Sequence, residues 1–145
     1  MATFDFGERR KSCDSHGNPR EVGEWALHVQ CPWRITGNDR VLVGNRDLYY
    51  PADYRYGGEA AAGFNWERDL TLRDKLLDSL FKSGAQELIV DRTDVYEAGG
   101  LHIVFREGLS LDVLPCDSVS DEHWRLFEPD KDAPHFVVTG GGIET

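Results

Sequence analysis

Apolar and polar residues alternate most regularly between Glu87 and Phe127. Leu101, Ile103 and Phe105 are interleaved with His102, Val104 and Arg106, and Leu109, Leu111 and Val113 with Ser110 and Asp112. A period of two is the signature of a strand with one buried face. The connection between these runs must keep both apolar sets on that face. A two-residue loop, Glu107-Gly108, sets Phe105 opposite Ser110 and breaks the match. A three-residue loop, Arg106-Glu107-Gly108, sets Phe105 opposite Leu109, Ile103 opposite Leu111 and Leu101 opposite Val113. The last position of such a loop favours the left-handed region, and Gly108 stands there. Leu88–Tyr96 opens the meander, with Ala98-Gly99-Gly100 as its turn. Its register stays open, because Leu88-Ile89-Val90 is apolar on both parities.

Trp25, Leu27, Val29, Cys31, Trp33 and Ile35 occupy every odd position of a second strand run, Trp25–Ile35. Pro32 cannot donate a ladder hydrogen bond, so this strand lies at an edge or carries a bulge. Gly37-Asn38-Asp39 reads as a turn into a return strand at Val41–Val43. Trp124, Leu126 and Phe127 mark a further strand, and Phe136–Val138 the last one. Phe4 and Phe6 alternate and predict an added edge strand. A helix is predicted over Thr71–Ser83. Leu72, Leu76 and Leu80 stack at i, i+4 spacing, and Leu77 and Phe81 widen the stripe. Thr71 is its N-cap, Asp74 favours the positive helix end, Asp78 and Lys82 pair at i, i+4, and Gly84 follows as the terminator. A helix this short needs a surface to lean on. The meander that follows directly is the expected one.

These elements predict a single α+β domain spanning residues 1–145. Its sheet is mostly antiparallel and twisted, of about five to seven strands, with one main helix packed on one face. Residues 1–20 are polar and punctuated by Gly17-Asn18-Pro19, and read as a more loosely attached segment. Asp47–Trp66 has no periodicity but crowds Tyr49, Tyr50, Tyr54, Tyr56, Phe64 and Trp66 between glycines. Most of these rings are expected to pin the loop to the sheet. The remainder could form a binding surface, since Tyr and Trp dominate interface hot spots.

Charge changes the picture most. The formal net charge is −10, and from Glu107 to Thr145 nine acidic residues face two basic ones. Such a surface repels nucleic acid and anionic membranes and attracts basic partners, although acidity also simply keeps a protein soluble. The one basic run, Arg9-Arg10-Lys11, does not offset this. No run of about 18 apolar residues exists, so no membrane helix is expected. The N-terminus lacks the apolar stretch of a secretory signal. Three scattered cysteines, Cys13, Cys31 and Cys116, then read as reduced thiols in a cytoplasm.

Candidate chemistry is sparse. Cys13/His16, His28/Cys31 and Cys116/His123 are the only groupings that suggest a metal, and their spacing matches no standard set. His28 and Cys31 have opposite parity on a regular strand and point to opposite faces. Cys116, Asp117, Ser118 and His123 share one loop and could in principle supply a Cys–His pair, yet no oxyanion site is evident. Asp91, Asp94, Asp112, Glu122 and Glu128 are too ordinary in an acidic chain to mark a hydrolase. Gly140-Gly141-Gly142 has no following helix or lysine and is not a phosphate loop. No cofactor and no metal are expected.

Three segments taken together carry a resemblance: Trp25-Ala-Leu-His-Val-Gln-Cys-Pro-Trp-Arg-Ile35, Asp47-Leu48-Tyr49 with Pro51, and Glu122-His-Trp-Arg-Leu-Phe127. The combination resembles a group of small bacterial cytoplasmic proteins with a similar "ALH-CPWR" strand and a late "E-WR" strand. No established activity attaches to that group, so the resemblance implies no catalytic residues. In size, acidity and α+β layout the chain is also similar to immunity proteins of bacterial polymorphic toxin systems. The resulting expectation is a non-catalytic protein-binding module, concretely an immunity protein that neutralises a basic toxin. Tyr54, Tyr56 and Trp66 would anchor the partner, and Asp117, Asp121, Glu122, Asp130 and Asp132 would steer it. Two alternatives stand beside it: a small enzyme or metal-binding protein using His28, Cys116 and His123, and a homo-oligomer, a homodimer for instance, that covers its sheet edges.

Overall fold

The computed structural model describes residues 1–55, 62–81 and 88–144. In chain order its strands are β1 (Ala2–Phe6), β2 (Arg10–Cys13), β3 (Pro19–Val22), β4 (Trp25–Val29), β5 (Trp33–Gly37) and β6 (Arg40–Gly44). A 3₁₀ helix (Asn45–Tyr49) and α1 (Leu72–Phe81) follow. After them come β7 (Val90–Val95), a 3₁₀ turn (Glu97–Gly99), β8 (Leu101–Phe105), β9 (Ser110–Val113), β10 (Glu122–Phe127), β11 (Phe136–Thr139) and β12 (Gly142–Glu144). Every strand pairing is antiparallel, and the class is α+β with one α-helix among the described residues. Among the described residues the strands number twelve rather than five to seven. They form two five-stranded sheets and a separate two-stranded hairpin.

The chain divides into two compact units: Met1–Cys31 with Tyr96–Gly100 and Leu114–Thr145, and Pro32–Val95 with Leu101–Val113. The boundary cuts the run Trp25–Ile35, which is two strands in two sheets, β4 and β5, and not one. Gln30, Cys31 and Pro32 separate them. Pro32 has no N–H to extend a ladder, and the amides of Gln30 and Cys31 both turn to the His123 carbonyl (2.8 and 3.1 Å). The odd-numbered apolar positions from Leu27 to Ile35 are nonetheless buried. Trp25 alone departs from the pattern and is exposed.

In the first unit the strand order is β1-β4-β10-β11-β12. β1 is the predicted edge strand, with Phe4 opposite Leu27. Ala26, Leu27, Val29, Trp124 and Val138 are its buried apolar side chains. The Trp124 indole is held by a buried hydrogen bond from Nε1 to the Gly99 carbonyl (2.7 Å). Gly99 has φ +80°, and a Cβ there would stand 2.3 Å from Val138 Cγ1. Gly140 and Gly141 turn the chain into β12, a short edge strand. The β2–β3 hairpin bonds to the segment that follows β10. Asp130 accepts hydrogen bonds from Ser12 Oγ and from Arg20 Nη2 (2.9 Å), and Arg10 donates to the Pro129 carbonyl.

The second unit has the order β6-β5-β9-β8-β7. The β8–β9 hairpin has the register expected from alternation: Leu101 faces Val113 and Ile103 faces Leu111. The Phe105 amide donates to the Leu109 carbonyl (2.9 Å) and Gly108 has φ +80°. Leu101, Ile103, Phe105, Leu111 and Val113 are all buried. Asn38 and Asp39 both have positive φ, the geometry of the two-residue turn whose twist matches a hairpin. Helix α1 begins in a capping box built with aspartate. The Asp74 amide donates to Thr71 Oγ1 (3.2 Å) and the Thr71 amide to Asp74 Oδ2 (3.0 Å). The predicted residues Lys82, Ser83 and Gly84 lie outside the described residues.

Among the described residues the helix leans chiefly on the 3₁₀ helix and on β6, rather than on the meander strands that follow it in the chain. The cause is local. The Leu72 amide donates to the Tyr50 carbonyl (2.8 Å) and the Ala52 amide to the Leu70 carbonyl (3.1 Å), with a bridge between Pro51 and Thr71. These bonds fasten the helix start to the segment that leaves β6. No described residue of α1 is fully buried. Among the described residues no helix is long and apolar enough to cross a membrane.

Candidate interaction surface

The 3₁₀ helix is fixed at its start by two side chains of its own. The Gly44 amide donates to Asp47 Oδ2 (2.9 Å) and the Trp33 amide to Asn45 Oδ1 (3.2 Å). This places Tyr49 at the surface, 49% exposed. A polar turn at Asn65–Asp69 presents Trp66, 47% exposed, with the Asn65 amide on Asp69 Oδ2 (2.8 Å) and the Glu67 amide on Asn65 Oδ1 (2.9 Å). Such Asx bonds rigidify a turn without a core beneath it. The two rings meet edge to face, 5.7 Å between centroids, and the Arg46 guanidinium lies 5.9 Å from the Tyr49 centroid. Tyr50 packs on Tyr54 at 4.6 Å. Leu70 is 66% exposed.

Beside these rings lies an open cleft of about 640 Å³, lined among others by Leu48, Trp66, Arg68, Leu70, Thr71 and Arg73. The Thr71 amide and hydroxyl hold the Asp74 carboxyl below its ordinary pKa, so the cap is an ionised carboxylate near neutral pH. One ring, Trp66, and two leucines line this otherwise polar and charged cleft, and the further rings stand on the neighbouring segment; single exposed apolar residues are common, but such a grouping is what contact surfaces are made of.

Tyr54 and Trp66 thus belong to one aromatic surface, Tyr54 half-buried and Trp66 exposed; Tyr56 lies outside the described residues. Tyr49, Tyr50 and Leu70 join them, and the exposed ring beside a turn-forming Asn-x-x-x-Asp is the sequence signal available for them. The five acidic candidates lie in the first unit, and three are already engaged. Asp117 pairs with His123 Nε2 at 3.0 Å, Glu122 accepts from Gln30 Nε2 (3.0 Å), and Asp130 holds Ser12 and Arg20. Asp121 and Asp132 are exposed, with no partner among the described residues.

His28, Cys116 and His123 are differently placed. His28 is half-buried with its ring edge-on to Phe127 at 4.6 Å, and burial, then the Arg125 charge, push its pKa down. His123 is buried and Cys116 is exposed. Cys31 is buried, and desolvation raises its thiol to about 11. Among the described residues no group of three or more His, Cys, Asp or Glu side chains could hold a metal ion.

On the polar face of the second sheet the strand register builds a transverse row: Arg34, Asp112, His102 and Asp94 stand opposite one another across β5, β9, β8 and β7. Asp112 binds Arg34 Nε (2.9 Å) and His102 Nδ1 (2.5 Å). Parity alone places each of these residues on a polar face. The pairing of β5 with β9, which brings Arg34 in, is a long-range choice that no local pattern reveals. No protein-family model, no curated protein and no solved structure matches the chain.

Proposed function

We propose that the chain is a non-catalytic protein-binding module whose contact surface is the aromatic group Tyr49, Tyr50, Tyr54 and Trp66 with Leu70. The observation that carries this reading is the Tyr49–Trp66 pair, each ring about half exposed beside an open cleft. Rigid rings lose little conformational entropy on binding and release much apolar surface from water, which is why they act as anchors. The overall charge of −10 draws a basic protein. The finer reading is an immunity protein that neutralises a basic toxin, with Asp121 and Asp132 free to contribute to encounter.

The experiment is affinity capture from the native cell extract with the wild type and Trp66→Ala in parallel, at low and moderate salt. A basic protein should be retained by the wild type and reduced at least tenfold on Trp66→Ala, as expected for an anchor worth about 2 kcal/mol. Retention of no protein, or equal retention by the variant, overturns the proposal.

A further inference from the structure

We propose that β7 is a self-complementary edge through which two copies of this chain pair, joining their five-stranded sheets into one continuous sheet. β7 ends the order β6-β5-β9-β8-β7, and all of its residues except the half-buried Asp94 are exposed. The direction of its main-chain groups follows from its neighbour. The Arg106 amide donates to the Ile89 carbonyl and the Phe105 amide to the Leu109 carbonyl, both at 2.9 Å. On β8, even positions therefore bond toward β7 and odd positions toward β9. Arg92 and Asp94, opposite Val104 and His102, turn their amides inward; Thr93 and Val95 turn theirs outward. Among the described residues those outward groups of Thr93 and Val95 meet no partner.

Charged residues on an edge strand ordinarily discourage pairing. Here their order matters. In an antiparallel ladder an outward residue must face an outward residue, so a two-fold pairing is centred on a residue and never between two. Four centres fall in the regular stretch, and centring on Val95 sets Asp94 against Tyr96 and pairs no opposite charges. Centring on Arg92 sets arginine against arginine, and centring on Asp94 sets aspartate against aspartate. Centring on Thr93 sets Arg92 opposite the other copy's Asp94, twice. It also makes Thr93, whose main chain faces outward, the hydrogen-bonded centre. Arg92 and Asp94 already pair within one strand (2.8 Å), so the dimer would close a four-charge ring. Ile89, Val90 and Val95 are 45%, 37% and 53% exposed and supply apolar surface along the same edge. The opposite edge, β6, is flanked by α1.

The test is the solution mass by sedimentation equilibrium, from low micromolar to near-millimolar concentration. It should rise from the 16.4 kDa of one chain to twice that value. Thr93→Pro removes one outward N–H and leaves the β7–β8 ladder intact. It should remain monomeric with an unchanged circular dichroism spectrum. Arg92→Asp sets aspartate against aspartate and should weaken the dimer about tenfold, and adding Asp94→Arg should restore it. The charge series decides the matter if Thr93→Pro fails to fold. A monomer at every concentration overturns the proposal. So does a dimer indifferent to Thr93→Pro in its folded form, or an Arg92/Asp94 exchange that fails to recover pairing.

Discussion

Gly99 is the residue whose replacement tests the first unit most directly. Its φ of +80° lies in the left-handed region, and a built Cβ would meet Val138 Cγ1 at 2.3 Å. Gly99→Ala therefore incurs two separable penalties. The backbone conformation costs an L-residue roughly 1–2 kcal/mol. The overlap with a fully buried valine forces repacking at roughly 1–3 kcal/mol. The sum is about 2–5 kcal/mol, large for one methyl group. The Gly99 carbonyl also receives the Trp124 indole N–H, so a shift that relieves the overlap strains that bond.

The second penalty depends on Val138 and the first does not. Val138→Ala alone should cost about 2–3 kcal/mol through lost burial and the cavity left behind. In the double variant the overlap disappears while the backbone strain stays. Its cost should fall short of the sum of the single costs by about 1–3 kcal/mol. Urea unfolding followed by tryptophan fluorescence and by circular dichroism measures all four proteins, and coincident transitions license the comparison. Additivity within about 0.5 kcal/mol refutes the packing of Gly99 on Val138.

Two further outcomes follow from buried titratable groups. With the Cys31 thiol raised to about 11, roughly one molecule in a thousand carries the thiolate at about pH 8. A thiol reagent should modify the exposed Cys13 and Cys116 promptly and Cys31 only on unfolding; three equal rates refute its burial. His28 resists protonation in the fold, because burial and Arg125 lower its pKa from the ordinary 6.5. As the pH falls through 6.5 the unfolded chain takes up a proton there that the folded chain refuses, so this contribution to stability is full above 6.5 and is lost below it. His28→Gln should flatten the decline of melting temperature with falling pH; parallel curves for both proteins refute the assignment.

What the chain reveals locally and what it conceals divide along one line. The β8–β9 hairpin is legible to the residue, because three apolar pairs and one glycine admit a single register. The capping box at Thr71 and Asp74 is legible for a similar reason: one turn of helix contains all its partners. The division of Trp25–Ile35 between two sheets is not. Its alternation is uninterrupted because Leu27, Val29, Trp33 and Ile35 are buried in both strands, and burial, not sheet membership, is what alternation reports. The helix docks chiefly against the 3₁₀ helix and β6 because the bonds that tie its start to Tyr50 and Leu70 outrank chain proximity. No pattern in Leu72–Phe81 encodes those bonds.

Charge is the other property that composition reports without address. Thirteen acidic and six basic residues fall in the first unit, which suggests a surface ready for a basic partner. Yet Asp130 holds Arg20 and Ser12, Glu122 lies 3.4 Å from Arg125 and accepts from Gln30, and Asp117 pairs with His123. A carboxylate already bonded within its own chain must break that bond to serve a partner, and the net gain is then small. Diffuse acidity can hasten an encounter, but it cannot fix where the partner stops. Rings without cover can, because the apolar area they remove from water is local. In the proposed module the location of a contact would therefore be set at Tyr49 and Trp66, and the charge of −10 would set how quickly a basic protein finds it.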